Sequence, residues 1–282
     1  MHGPTATLLV VPRPTGRRRP LRSVRDGMRR EHHPRGQPHR FLGRTVPDPH
    51  RVAAGRLSTP ARGDRTAFGP LADELQATWE LHFSDARPRI AIFVSRQTTV
   101  SWISSGGIVP ERFPEIVFVA GNHEELAPTV RDAGIEFRHI PVAKVDKSGA
   151  EARQLELLEQ QRVDLVVLAK YMQILSPDFV ARAPRIINIH HSFLPAFVGA
   201  KPYHQALERG VKIIGATAHY VTPELDAGPI IEQDVTRVSH RDEISDLIRH
   251  GKDLERMVLA RAVRLHLTNR VLVYGNRTVV FA

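Results

Sequence analysis

The chain has 282 residues, 41% of them hydrophobic, and no Cys, which excludes a disulfide framework, a thiolate nucleophile and any Cys-ligated zinc or iron–sulfur centre. No apolar run approaches the ~20 residues of a membrane span, and "ATLLVVP" at residues 6–12 follows no basic segment, so it makes a poor signal peptide and a cytoplasmic protein is expected. The net charge of +10 is not spread evenly: residues 1–65 hold 15 Arg, no Lys and only Asp26, Glu31, Asp48 and Asp64, so this segment carries +11 and the remainder −1.

Residues 1–65 also contain 9 of the 21 Pro and 7 of the 19 Gly, with neither period 2 nor period 3.6 over a useful length. Such a segment cannot bury enough apolar surface to offset its ordering entropy, and a disordered Arg- and Pro-rich arm is expected. Its arginines suit nucleic-acid phosphates, but Phe41 is its only aromatic residue, so base stacking has no platform and no nucleic-acid partner is expected. An organelle transit peptide would want more Ser and an amphipathic helix. A leader without function is the simplest reading.

From about Thr66 the pattern changes. "AFGPLADELQATWELHF" (67–83) predicts a short helix over 70–76 and then a strand with Trp79, Leu81 and Phe83 on one face. "ARPRIAIFVS" (86–95), "EIVFVAG" (115–121) and "DLVVLA" (164–169) are continuous apolar runs, as strands buried on both faces require. "EELAPTVRDAG" (124–134) predicts a helix capped by Gly134, "FRHIPV" (137–142) a strand, and "SGAEARQLELLEQQRV" (148–163) an amphipathic helix. "SPDFVARA" (176–183) starts with Ser176 as N-cap and Pro177 at the first helical position. Buried strands alternating with helices imply an α/β fold with a doubly wound, mostly parallel sheet. A helix follows over 202–209, a strand over 211–221, a turn-rich loop "TPELDAGPIIEQ" (222–233) leading into another strand, and a helix over 239–267 with a Ser239–Asp242 capping signal. The tail "RVLVYGNRTVVF" predicts a C-terminal hairpin turning at Gly275-Asn276.

Polar residues gather where strands end. In "IINIHHSFLP" (186–195), Asn188 and His190 are two apart and leave the same face of a strand, while His191 is expected to point the other way. His219 ends the next strand and Asp226 sits in the loop after it. Ligands in such sheets bind beyond the carboxyl ends of the strands. A carboxylate able to face an imidazole suits acid–base work, and the Asn188 amide is a donor for a developing oxyanion. No Ser lies in a G-x-S-x-G elbow, so water is the expected nucleophile of a hydrolase. A metal reading on His190, His204, His219 and Asp226 lacks any short ligand spacing, and no metal is expected.

"INIHHSFLP" and "ELDAGPII", joined by "FVGAKPYHQA", closely resemble the formyltetrahydrofolate deformylases, in a stretch running from about Phe113 to Phe281. "ARPRIAIFVS" fits as well. The resemblance implies a formyltransferase-like, Rossmann-type fold and hydrolysis of 10-formyltetrahydrofolate to formate and tetrahydrofolate, with formate feeding purine synthesis and with no cofactor beyond the folate substrate. It implies that Asn188, His190 and Asp226 are catalytic. It places Leu168, Tyr171, Met172, Gln173, Ile174 and Leu175 in the segment that wraps the pterin, much of it through backbone groups, and adds Lys201, His204 and His219 as substrate-binding. "HHSF" and "GAKPYHQ" stand where transferases differ, favouring the hydrolase over transfer to an amine acceptor. The expected partner is the small folate molecule. The sequence allows a homo-oligomer without specifying one.

Two stretches depart from that family. Its members usually begin with an ACT-type regulatory domain, thought to respond to glycine and methionine. Here residues 1–65 show no such pattern and 66–86 resemble only its last helix and strand, leaving 87–282 as the expected catalytic domain. The family also places a Leu-rich amphipathic helix over "RQTTVSWISSGGIVPER" (96–112), where this chain offers Ser, Thr and Gly. Without that helix, one face of the strand at 90–93 is expected to lose its cover. Both stretches have the composition of a coding region read out of frame, an expectation that resequencing the locus tests.

Overall fold

The computed structural model describes residues 87–96, 114–143, 146–194 and 202–281, together with Asp73 and four strands nearer the N-terminus. The chain divides into two compact units, residues 1–86 with 269–282, and residues 87–268.

In the first unit, β1 (Ala6–Pro12) pairs antiparallel with β3 (Ala53–Leu57) and with β4 (Ala77–Phe83), and β2 (Leu42–Gly43) extends the sheet in the order β2-β3-β1-β4. Three of these strands fall inside the segment expected to be disordered, so that expectation does not hold for them. There β1 pairs with β4 in a regular antiparallel register, from Ala6 opposite Phe83 to Pro12 opposite Ala77. The rest of the arm, and the expected helix at 70–76 apart from Asp73, lie outside the described residues. The tail hairpin forms as predicted, with β12 (Val271–Tyr274) and β13 (Arg277–Val280) turning at Gly275, whose φ of 56° suits a residue without Cβ. It groups with this first unit, not with the catalytic domain assigned to 87–282, because β12 lies against β1 and β4.

The second unit is built on a seven-stranded sheet. Its first five strands, β5 (Arg89–Val94), β6 (Glu115–Gly121), β7 (Phe137–His139), β8 (Leu165–Ala169) and β9 (Arg185–His190), are parallel. Then β10 (Ile213–Tyr220) runs antiparallel to β9, and β11 (Ile230–Arg237) antiparallel to β10, giving the order β11-β10-β9-β8-β5-β6-β7. The chain winds outward from β5 toward β7, then restarts at β8 on the other side, so the switch point lies between β5 and β8.

Among the described residues the helices of this unit are α1 (Ala127–Asp132), α2 (Lys147–Gln160), α3 (Pro177–Arg182), α4 (Pro202–Glu208) and α5 (Ile244–Leu267). Ser176 caps α3 by accepting from the Phe179 amide at 3.1 Å, and Asp146, not singled out from sequence, caps α2 through the Gly149 amide. Helix α5 starts later than expected: Glu243 and Asp246 form its capping box, whereas Ser239 and Asp242 close the turn before it. Residues 97–113, where the family helix is expected, lie outside the described residues. The expectation for the cover of β5 rests on those residues; the strand itself is buried, with Ile90, Ala91, Ile92, Phe93 and Val94 all at most 1% exposed. Phe93 packs edge-on to Tyr171 at 5.4 Å and against Phe179 at 6.3 Å, in a core shared with Phe118, Leu158 and Val166.

Candidate active site

The antiparallel register of β9 and β10 assembles the centre of the site. His190 pairs with Thr217 and Asn188 with His219, and directly opposed residues share one face of a sheet. Between Ala218 and His219 the β10–β11 register slips, so that Ala218 faces Glu232 while His219 faces Ile230. Such a bulge bends the ladder and re-aims a side chain, a device common beside active sites. Asp226 arrives from the connecting loop with φ 53°, a left-handed conformation that Asp tolerates better than most residues. Gly228 lets that loop close on β10, since a Cβ there would overlap the Tyr220 carbonyl oxygen, and the Tyr220 amide bonds the Pro229 carbonyl at 2.9 Å.

Asp226 then lies between two imidazoles. Its Oδ2 is 3.3 Å from His190 Nδ1 and its Oδ1 is 3.6 Å from His219 Nε2. Hydrogen bonds from His190 and then His219 hold the carboxyl well below the usual carboxylate range, against the opposing effect of burial. His219 Nδ1 donates to the Tyr220 carbonyl at 2.9 Å, and Asn188 Nδ2 lies 3.3 Å from His219 Nε2, the ring nitrogen that faces Asp226. His190 keeps one polar atom in reserve: its Nε2 is buried without a hydrogen-bond partner among the described residues. An unpaired buried ring nitrogen is costly in a resting protein and useful where a reacting group will sit.

The turn after His190 is pinned from the neighbouring strands. Thr217 Oγ1 donates to the Ser192 carbonyl at 2.9 Å and accepts from the Leu194 amide at 3.1 Å, and Gln233 Nε2 reaches both Thr217 Oγ1 and the Leu194 carbonyl. Strand β9 ends at His190, so the alternation that would send His191 to the opposite face stops there. The two imidazoles stack instead, with centroids 5.0 Å apart and planes 14° from parallel.

The remaining expected residues divide. His219 belongs to the acid–base cluster and is 2% exposed. Tyr171 and Leu168 also turn inward: the Tyr171 hydroxyl accepts from Gln154 at 2.6 Å, burial pushes this phenol up to about 12, and Leu168 joins the same core. Only their backbone groups remain for a ligand. Leu175 is partly buried against that core, Gln173 is half-exposed, and Met172 and Ile174 stand out at 70% and 63% exposure. Lys170 and Met172 have φ of 57° and 58°, so this stretch is irregular backbone. His204 is exposed on α4, and Lys201 lies outside the described residues.

Sequence reasoning missed Thr217, Gln233, Lys170, Tyr203 and Glu255. Two of them carried a signal: Glu255 interrupts the apolar stripe of α5, and Lys170 directly follows the apolar strand β8. Among the described residues no group of three His, Asp or Glu is arranged to hold a metal ion, and no helix is long and apolar enough to cross a membrane.

A carboxylate bridging two imidazoles beside a carboxamide, at the end of a mostly parallel sheet, is the arrangement of an α/β enzyme suited to acid–base chemistry. Residues 88–263 match the formyl transferase family. A Synechocystis formyltetrahydrofolate deformylase is 58% identical over 231 residues, 80% of this chain and 80% of that protein, and one from Bacillus subtilis is 50% identical over 222 residues, 77% and 73%. The crystal structure of a formyltetrahydrofolate deformylase from Pseudomonas syringae superposes with a TM-score of 0.83 at 39% identity, covering 99% of this chain and 95% of that one. A glycinamide ribonucleotide transformylase from Symbiobacterium toebii gives 0.64 at 32% identity over 72% of this chain and 98% of its own. The chain belongs to the formyl transferase family, among its formyltetrahydrofolate deformylases, and is a hydrolase of that kind.

Proposed function

We propose that the chain hydrolyses 10-formyltetrahydrofolate with water as co-reactant and no further cofactor, and that Asn188, His190 and Asp226 carry the chemistry with His219 beside them. The observation that carries this reading is Asp226 held between His190 and His219 at 3.3 and 3.6 Å. Water gives up a proton to the Asp226–His190 pair as it adds to the formyl carbon, forming a C–O bond and a tetrahedral oxyanion. Asn188 and a protonated His190 stabilise that charge. The intermediate collapses with cleavage of the bond to N10; His190 Nε2 protonates N10, and formate leaves. Asp226, kept anionic, orients His190 through its Nδ1. The irregular backbone at 170–172, with the side chains of Met172 and Ile174, offers a platform for the flat pterin.

Formate release from purified chain and 10-formyltetrahydrofolate, with no added amine, tests the proposal. The expected result is stoichiometric formate and tetrahydrofolate; formate that appears only when an amine acceptor is supplied would assign a transferase instead. Formate made this way suits supply to purine synthesis. Residues 66–86 are proposed as the remnant of a regulatory ACT-like domain.

A further inference from the structure

Lys170 and Glu255 take no part in the scheme above, yet they form the most deeply buried Lys–Glu pair among the described residues. Glu255 is 0% exposed on the apolar face of α5, and its Oε2 lies 2.6 Å from Lys170 Nζ, whose side chain is 12% exposed. The Tyr203 hydroxyl donates to the other carboxylate oxygen at 2.6 Å. A buried ion pair seldom stabilises a protein more than apolar residues of the same volume would. The surroundings give up more still. Helix α5 carries Gly251 one turn before Glu255, against helix propensity, and any Cβ there would overlap the Tyr203 ring. Lys170 holds a φ of 57°, which L-residues other than Gly, Asn and Asp seldom adopt.

These departures from local preference converge on His191. The Tyr203 ring lies 6.5 Å from the His191 ring, which stacks on His190. The His191 Nε2 atom is buried without a partner, like that of His190. The charged groups that act on His191 come from four elements: His190 on β9, Asp226 on the loop before β11, Glu255 on α5 and Lys170 after β8; Tyr203 on α4 faces it as a neutral phenol. Burial and then His190 push the imidazole down, Glu255 and Asp226 oppose this, and Lys170 adds to it.

We propose that Lys170, Glu255 and Tyr203 form a positioning unit that holds His191 flat against His190 and sets the charge this imidazole pair experiences, so that the hydrolytic site works with two stacked rings. The unit acts through His191 and does not touch the substrate. A neutral ring behind His190 restricts its rotation and keeps its Nε2 directed outward, while Lys170 and Glu255 act on His191 in opposite directions. This inference rests on the hydrolase reading above.

The test uses the full-length chain carrying Lys170→Met, Glu255→Gln or both changes, with two readouts. Imidazole NMR, with His191 assigned by the signal lost in His191→Gln, gives its titration midpoint, and formate release gives kcat and KM. Removing the cation should raise the His191 midpoint by about one pH unit, removing the carboxylate should lower it by a similar amount, and the double change should bring it back. Each single change should lower kcat on the order of tenfold with KM nearly constant, and the double variant should recover part of the loss. Should a single variant not fold, Glu255→Asp keeps the charge and withdraws it by one methylene, and it should lower kcat with KM unchanged. A His191 midpoint that stays put in folded single variants, or full kcat in Glu255→Asp, overturns the proposal. Wild-type chain that releases no formate would remove the hydrolase reading instead and leave the NMR result standing as a separate outcome.

Discussion

Asn188 and His190 come to the site on a regular strand, whereas His219 and Asp226 come to it through an irregular one. Strand β9 keeps its parallel register with β8 from Arg185 to Asn188, and period-2 alternation alone puts both polar side chains on one face. On the other side, β10 and β11 slip register at His219, and Asp226 sits in a left-handed turn beside a glycine that no other residue could replace without moving the loop. The difference teaches that the two halves of the cluster are held by different means. The β9 half is fixed by the sheet, and the β10–β11 half is fixed by a bulge, a turn and a few hydrogen bonds, so the second is where modest changes should separate binding from turnover.

The largest effect expected tests whether the two halves act as one. His190→Ala and Asp226→Asn should each lower kcat by about 10²–10⁴-fold while KM changes little, and the double variant should be scarcely worse than either single one. Steady-state kinetics on 10-formyltetrahydrofolate decides this. Multiplicative losses in the double variant would show that the β9 and β10–β11 halves contribute independently.

A smaller effect concerns the link between them. Thr217 on β10 holds the turn that follows His190 on β9, so Thr217→Val keeps the shape and removes the hydroxyl shared by Leu194, Ser192 and Gln233. Taking one partner from buried polar groups costs about 1–3 kcal/mol. A melting transition lowered to match, with a kcat loss well below that of His190→Ala, is expected. An unchanged melt would mean the turn is held by β9 alone.

The same contrast explains what the sequence made legible. The continuous apolar runs identified β5, β6 and β8, because a strand buried on both faces needs them. Asn188, His190 and Asp226 could be named from residue type and position at strand ends. The pairing of His219 with Asn188 could not, since it depends on β10 running antiparallel to β9, and apolar patterning does not encode strand direction. His191 was assigned to the wrong face because alternation was continued one residue past the strand's end. Tyr171 stands among the substrate-binding residues through the resemblance alone, and the partner of its hydroxyl, Gln154 on α2, lies inside the core. Strands β1 to β3 were hidden by the Arg and Pro residues around them, which dominate any compositional reading of the segment.

The depressed Asp226 carboxyl makes the contrast visible in stability against pH. A group whose folded-state value lies below its unfolded value stabilises the fold above the unfolded value, and that contribution is lost as pH falls toward the folded one. The difference in melting temperature between wild type and Asp226→Asn should therefore hold steady at neutral pH and shrink below about pH 4, the ordinary carboxylate value. A difference that persists undiminished in strong acid would mean the carboxylate contributes through packing and not through its pairing with His190 and His219.

The smallest effect expected lies outside both halves. His204 stands among the substrate-binding residues only through the resemblance to the deformylases, and the structure places it exposed on α4, one residue after Tyr203. Tyr203 faces inward to Glu255, and neighbouring helical positions diverge by about 100° around the axis, so the two side chains look in different directions. An exposed imidazole in water gives little binding energy to a ligand it meets without desolvation. His204→Ala is therefore expected to change kcat/KM by less than about threefold, roughly the weight of a solvated contact. A drop of about tenfold or more, carried by KM, would show that the folate's charged tail reaches α4 and that the site extends beyond the two strands that build its centre.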